Sequence, residues 1–111
     1  MTAAIVRLPA YETQARRWLS LSEREALEDH IAHAPEAHPI IPGTGGIRKA
    51  RWGRSGKGKS GGVRAIYYFH GGRYAVYMLA LYSKSQQGDL TQADKRELKN
   101  IVARLKGGVV Q

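Results

Sequence analysis

The 111-residue chain contains no cysteine. Disulfides, thiolate zinc sites and cysteine nucleophiles are thereby excluded, and a reducing, cytoplasmic setting is expected. No apolar run approaches the roughly 20 residues that cross a bilayer, so no membrane partner is expected. The opening MTAAIVRLPAYE has no basic stretch followed by an apolar one, and no secretory signal is expected from it. Aromatic residues are few, with a single Phe among them. The most informative absence is of charge of one sign: residues 37–88 contain neither Asp nor Glu.

What fills that stretch is positive charge. The whole chain holds 18 Lys and Arg against 9 Asp and Glu, a net charge of +9. Residues 1–36 carry four basic and six acidic side chains, a balance of −2. Residues 37–88 carry nine basic and no acidic ones, +9, and residues 89–111 five and three, +2. Solubility tolerates mixed signs, so 52 residues without a carboxylate point to a polyanionic partner, nucleic acid first. With 42% hydrophobic and 24% charged residues, the composition is that of a folded chain, and its length suits one domain over 1–111.

The pattern predicts the order β-α-α-β-β-β-α. Ala4–Leu8 is short and β-branched, a strand that Pro9 ends. Tyr11–Leu19 has helical spacing. Ser22-Glu23-Arg24-Glu25 reads as a capping box, with Leu21 and Ala26 as its staple, opening a helix that buries Ala26, Leu27 and Ile31 and stops before Pro35. Pro39, Pro42 and the nearby glycines mark a loop. Ile47–Trp52 is a strand, and Gly53–Gly62 is expected to be irregular. Val63–His70 and Arg73–Tyr82 flank Gly71-Gly72, a two-residue hairpin signal, and the second of them is apolar almost throughout, as a central strand is. Thr91 caps a last helix with Leu98, Ile101, Val102 and Leu105 on one face and Gly107-Gly108 as its stop. The expected fold is α+β, a small antiparallel sheet with helices packed on one face.

Gly53-Arg54-Ser55-Gly56-Lys57-Gly58-Lys59-Ser60 satisfies the phosphate-loop pattern G-x-x-x-x-G-K-[ST]. That loop works only when a helix starts at its Lys-Ser, so that N–H groups face the phosphates. Here Gly61-Gly62 and a strand follow, and residues 37–88 contain no Asp to hold magnesium. The segment reads instead as a basic finger tracking a phosphate backbone. His30, His33 and His38 lack the spacing of a metal site and are assigned to polar surface, so neither metal nor cofactor is expected. Trp18, Tyr67, Tyr68 and Tyr77 have faces that stack on bases, but in apolar runs they are assigned to the core.

Strand alternation gives the remaining cations a purpose. If Ala50 and Trp52 point inward, Lys49 and Arg51 point outward together, about 7 Å apart. Arg64 opens the next strand, and Lys84 follows the long apolar one. RNA cleavage by its own 2′-OH needs in-line positioning, cations against the charge growing on phosphoryl oxygens, and proton transfer at both ends. Arg64 or Lys84 would clamp the phosphate and Lys49 would accept the 2′-OH proton. For the acid, Tyr82 and His70 are the candidates. Arg48, Arg54, Lys57, Lys59, Arg73 and Tyr82 are the further expected RNA contacts. A simple nucleic-acid-binding module, with the 53–62 loop supplying affinity, is the rival reading.

The segments GTGGIRKARWGRSGKGKSGGVRAIYYF and YMLALYSKSQQGDLTQADKRELKNIV resemble the RelE/HigB superfamily of toxins from bacterial toxin–antitoxin modules, closest to its HigB-like branch. The resemblance implies an mRNA endoribonuclease that acts in the ribosomal A site by 2′-OH attack, without a cofactor. It also implies a cognate antitoxin, often of helix-turn-helix type, through whose complex alone the toxin meets operator DNA. The family's basic strand residues fall on Lys49 and Arg51, its phosphate-clamping arginine on Arg64 and its post-strand cation on Lys84. Many relatives carry a Tyr or His acid near the C-terminus, and residues 85–111 contain neither. Related ParE toxins share the fold but inhibit DNA gyrase without catalysis, which is the second alternative.

Overall fold

The computed structural model describes residues 1–54, 58–85 and 88–107, and for residues 54 and 58–61 it describes the backbone. The elements follow the expected order: β1 (Ala4–Arg7), α1 (Pro9–Trp18), α2 (Leu21–His33), β2 (Ile47–Arg54), β3 (Gly58–His70), β4 (Ala75–Ser83) and α3 (Gln92–Lys106). Pro9 ends β1, as its missing N–H requires, and also opens α1, where that N–H has no intrahelical partner to lose. The cap of α2 lies two residues before the expected one. Ser20 accepts a hydrogen bond from the Glu23 N–H at 3.1 Å, and the Glu23 carboxylate accepts one from the Ser20 N–H at 2.8 Å. Two overlapping S-x-x-E pairs compete here, and the earlier wins because α1 gives way to α2 through buried Leu19 alone. Leu21 is accordingly exposed rather than a staple, and Ala26 is exposed as well. Thr91 caps α3 in a reciprocal box with Asp94.

The sheet runs β1-β4-β3-β2. The β2–β3–β4 meander is antiparallel, as expected, but β1 pairs in parallel with β4, from Ala4↔Ala75 to Arg7↔Met78, so the sheet is mixed. The helices are not confined to one face. Tyr11, Ala15, Leu27 and Ile31 of α1 and α2 pack with Ala50, Val63, Ala65, Tyr67, Val76 and Met78. On the opposite face Leu98, Val102 and Leu105 of α3 pack with Ile47, Ile66, Tyr77, Leu79 and Tyr82. The cause lies in β4, whose residues are buried on both sides, so each face must be covered.

Two irregularities aim the side chains. Ile66 pairs with Ala80 but Tyr67 with Met78, which leaves Leu79 as an extra residue in β4. This bulge reverses the alternation, sending Leu81 to the α1/α2 face and Tyr82 to the α3 face. Of the glycine-rich stretch 53–62, expected to be irregular, the described residues 53, 54 and 58–62 instead extend the β2–β3 ribbon, with Arg54 paired to Gly58 past a register shift, and residues 55–57 lie outside the described residues. Strand pairing uses backbone groups, which glycine keeps. At Gly62 a side chain is excluded, since a Cβ would collide with the Trp52 carbonyl. No helix follows Ser60, so the phosphate-loop pattern has no phosphate-binding frame. The β3–β4 turn spans Gly71–Tyr74 rather than two residues, and Tyr74, not a glycine, takes positive φ at 51°.

Candidate functional site

Because Ala50 and Trp52 pack toward α1 and α2, Lys49 and Arg51 share the opposite face with Ile47. The register then sets Arg51 directly across from Arg64, and Arg64 directly across from Tyr82. Lys49 lies two pairs along, opposite Ile66, the next position on the same face. Lys84 is exposed just past β4, its backbone N–H directed at the Gly62 carbonyl at 3.5 Å. The four cations expected to meet are thus placed at one end of the sheet by adjacent strands.

The row is electrostatically unbalanced. Arg64 is only 4% exposed, and its Nη1 donates to the carbonyl of Val63 at 3.4 Å. Among the described residues no carboxylate lies within ion-pair distance of Arg51 or Arg64. Like charges facing across a ladder repel, so two guanidinium groups there form a site suited to an anion. Tyr82 closes the row. Its hydroxyl is buried without a hydrogen-bond partner among the described residues. The Asp89 carboxylate is nonetheless close: burial, then the charge of Asp89 and with smaller effect a weak contact of the hydroxyl with it, raise Tyr82 above its ordinary range against the opposing pull of Arg64. The hydroxyl is protonated at neutral pH, as a phenol ordinarily is, and the neighbouring guanidinium of Arg64 is what favours release of its proton.

Asp89 is the participant that sequence reasoning missed. It lies 3.7 Å from the Lys49 ammonium and is held below the ordinary carboxylate range by the Leu90 N–H and, with smaller effect, by the charges of Lys49 and Lys95. It belongs to the segment before α3, where no periodicity fixes a direction. The signal available was its position, the first carboxylate after the long basic stretch.

Several expected RNA contacts lie elsewhere. Arg48 points to the α1/α2 side and donates to the carbonyls of Glu36 and His38 at 3.2 and 2.7 Å, fastening the loop before β2. Arg73 donates to the Leu105 carbonyl at 2.8 Å and the Tyr77 hydroxyl at 3.1 Å, tying down the end of α3. It sits at the β3–β4 turn, roughly 20 Å along the strand from Arg64 at 3.3 Å per residue. His70 accepts from the Arg73 N–H in that turn, too far away to be an acid for this site. Lys57 lies outside the described residues, as do the side chains of Arg54 and Lys59. His30 and His38, assigned to open surface, are joined Nε2 to Nε2 at 2.9 Å, while His33 bonds to the Asp29 carbonyl. Among the described residues no group of three or more His, Asp or Glu could hold a metal. None of their helices is long and apolar enough to cross a membrane.

Comparison with known proteins gives this geometry a family. Solved structures with the same fold include a free E. coli RelE toxin with two arginines changed to alanine, at 17% identity over 79% of this chain and 90% of that one, TM-score 0.58. The intact E. coli RelBE toxin–antitoxin complex matches at 18% identity over 71% and 93%, TM-score 0.53. The isolated E. coli RelE toxin matches at 17% over 89% and 98%, TM-score 0.51. The family model described as the RelE toxin of the RelE/RelB toxin–antitoxin system matches residues 40–108, which contain β2, β3, β4, α3 and every cation of the row. Matched over more than half its length, the chain belongs to the RelE toxin family.

Proposed function

We propose that this toxin inhibits translation by cutting mRNA on the ribosome, without metal, through attack of the ribose 2′-OH on the adjacent phosphodiester. The observation that carries the reading is the Arg51–Arg64–Tyr82 row, two guanidinium groups without a carboxylate beside a buried, protonated phenol. The guanidinium pair grips the non-bridging phosphoryl oxygens and opposes the charge that grows on them. Lys84, at the same end of the sheet, adds a third cation. The Lys49–Asp89 pair, already matched in charge, adds a carboxylate to receive the 2′-OH proton, a role expected of Lys49 from the sequence. As the 2′ oxygen bonds to phosphorus the P–O5′ bond breaks, and Tyr82 gives its proton to the departing oxygen. The products are a 2′,3′-cyclic phosphate and a 5′-hydroxyl end.

The partners follow from the same reading. A chain of charge +9 that binds messenger needs restraint in the cell, and the RelBE complex among the similar structures supports a cognate antitoxin here; its helix-turn-helix type is proposed from the sequence resemblance alone. Toxin and ribosome meet in the cytoplasm. Brief induction followed by mapping of transcript 5′ ends tests the activity. New 5′-hydroxyl ends within translated codons are expected, and Arg64→Ala abolishes them with the fold intact. Growth arrest with uncut messengers overturns the proposal, and a DNA-damage response in that case assigns the protein to gyrase inhibition.

A further inference from the structure

Around the open edge of β2 from the phosphate row, and sharing Arg51 with it, lies a cleft of about 330 Å³ lined by His30, His38, Arg51, Trp52 and Gly53. Its lining contains no carboxylate, and its volume equals roughly ten waters' share of the liquid, ample for one planar heterocycle. The walls are rings held in place by other rings. Trp52 and His30 lie 5.2 Å apart between centroids, His30 and His38 5.1 Å, and His38 meets buried Tyr67 edge-on at 6.4 Å. The Nε2–Nε2 hydrogen bond locks the two imidazoles to each other. Arg48, displaced from the phosphate site, fastens the His38 carbonyl and so fixes the loop that carries that ring.

The cleft also has polar groups at its rim. The segment before β2 covers the strand's outer edge through Ile41 N–H to the Ile47 carbonyl and Lys49 N–H to the Pro39 carbonyl. Residues 47 and 49 therefore face outward, and by the two-residue repeat so do the N–H and C=O of Arg51, beyond the end of that cover. A fixed aromatic wall, an outward backbone donor and acceptor, and a cation are what an unpaired base requires, namely a stacking surface and partners for its edge.

We propose that this cleft holds an unpaired nucleobase of single-stranded RNA, stacked against Trp52 and the histidine pair, while Arg51 and Arg64 hold the neighbouring phosphate. The inference rests on the reading of those arginines as a phosphate clamp. It assigns to Trp52 a binding role that its partial burial against the core would otherwise conceal.

The test uses the full chain carrying Trp18→Phe, so that Trp52 is the only indole, and a short single-stranded RNA 2′-O-methylated throughout to block cleavage. Binding is followed by anisotropy and by tryptophan emission, with an abasic oligomer of equal charge for comparison. The base-bearing oligomer is expected to quench Trp52 and the abasic one is not. Trp52→Ala or His38→Ala weakens binding about 5- to 150-fold, whereas Trp52→Phe, which keeps a stacking face and the packing, retains most of it. Binding that Arg51→Ala weakens, but that neither quenches Trp52 nor responds to Trp52→Ala and His38→Ala, overturns the base pocket and leaves the phosphate clamp standing. Failure of the oligomer to bind at all overturns both.

Discussion

Removing a guanidinium from water costs several kcal/mol unless a counter-charge compensates, and Arg64 is buried opposite Arg51 without one. Such a residue is retained against stability. Replacing Arg64 by Met, which keeps the length and loses the charge, is expected to leave urea denaturation unchanged or to stabilise by about 1 kcal/mol. Cleavage in a translation extract should fall by about 100-fold or more. Tyr82 follows the same logic: Tyr82→Phe removes an unpartnered buried hydroxyl at little or no cost to folding, yet cleavage should fall about 10²- to 10⁴-fold while RNA binding persists. The grouping of Lys49, Arg51 and Arg64 was legible in the sequence because a two-residue repeat and one inward-facing alanine fix their side. Asp89 was not, since its approach to Lys49 comes from a turn with no repeat to read. The carbonyl bonds of Arg48 and Arg73 were not legible for a related reason, because composition cannot separate a cation facing solvent from one bonded to the backbone.

At the scale of elements, two S-x-x-E pairs two residues apart offer a direct comparison. Ser20→Ala should destabilise by about 1 kcal/mol and Ser22→Ala by far less, read as shifts in the denaturation midpoint. Under α1 and α2, buried Glu28 accepts hydrogen bonds from Arg7 at 2.7 Å, the Tyr11 hydroxyl at 2.7 Å and Arg24 at 3.1 Å. Burial alone would raise the Glu28 carboxyl, but these donors outweigh it and hold the group below its ordinary range. A carboxyl lowered on folding contributes stability above its unfolded value, and that contribution is lost as pH falls through the folded one. Wild-type stability should therefore decline below about pH 4. Glu28→Ala should cost about 3 kcal/mol at neutral pH, leaving Arg7 and the buried Tyr11 hydroxyl unpaired while Arg24 keeps Glu12 at 2.8 Å, and should flatten that decline. Helix existence was legible from periodicity. The placement of α3 on the second face was implied by the unbroken apolar run of β4, which a one-sided sheet cannot bury. The bulge at Leu79 left no mark, since every residue around it is apolar and either phase of alternation satisfies the pattern.

For the whole molecule, the six cations of residues 37–88 whose side chains are described are divided by folding into two populations. Arg51, Arg64 and Lys84 stand at one end of the sheet without a carboxylate in ion-pair range, whereas Lys49 is matched by Asp89, and Arg48 and Arg73 are bonded to carbonyl groups. Of these two, only the first should release counterions from single-stranded RNA, and each such contact adds about 0.7 to the slope of log affinity against log salt. Arg51→Ala and Lys84→Ala should each flatten that slope by about 0.7. Arg73→Gln should leave it unchanged, whatever it does to the docking of α3. Asp89→Asn frees the Lys49 ammonium for phosphate and should steepen the slope by about as much as either loss flattens it. A field spread evenly over the molecule would make all four variants that lose or gain one unit of charge shift the slope alike. The division between engaged and available cations is therefore measurable by salt titration of an uncleavable oligomer, and an equal response of Arg73→Gln and Arg51→Ala would refute it.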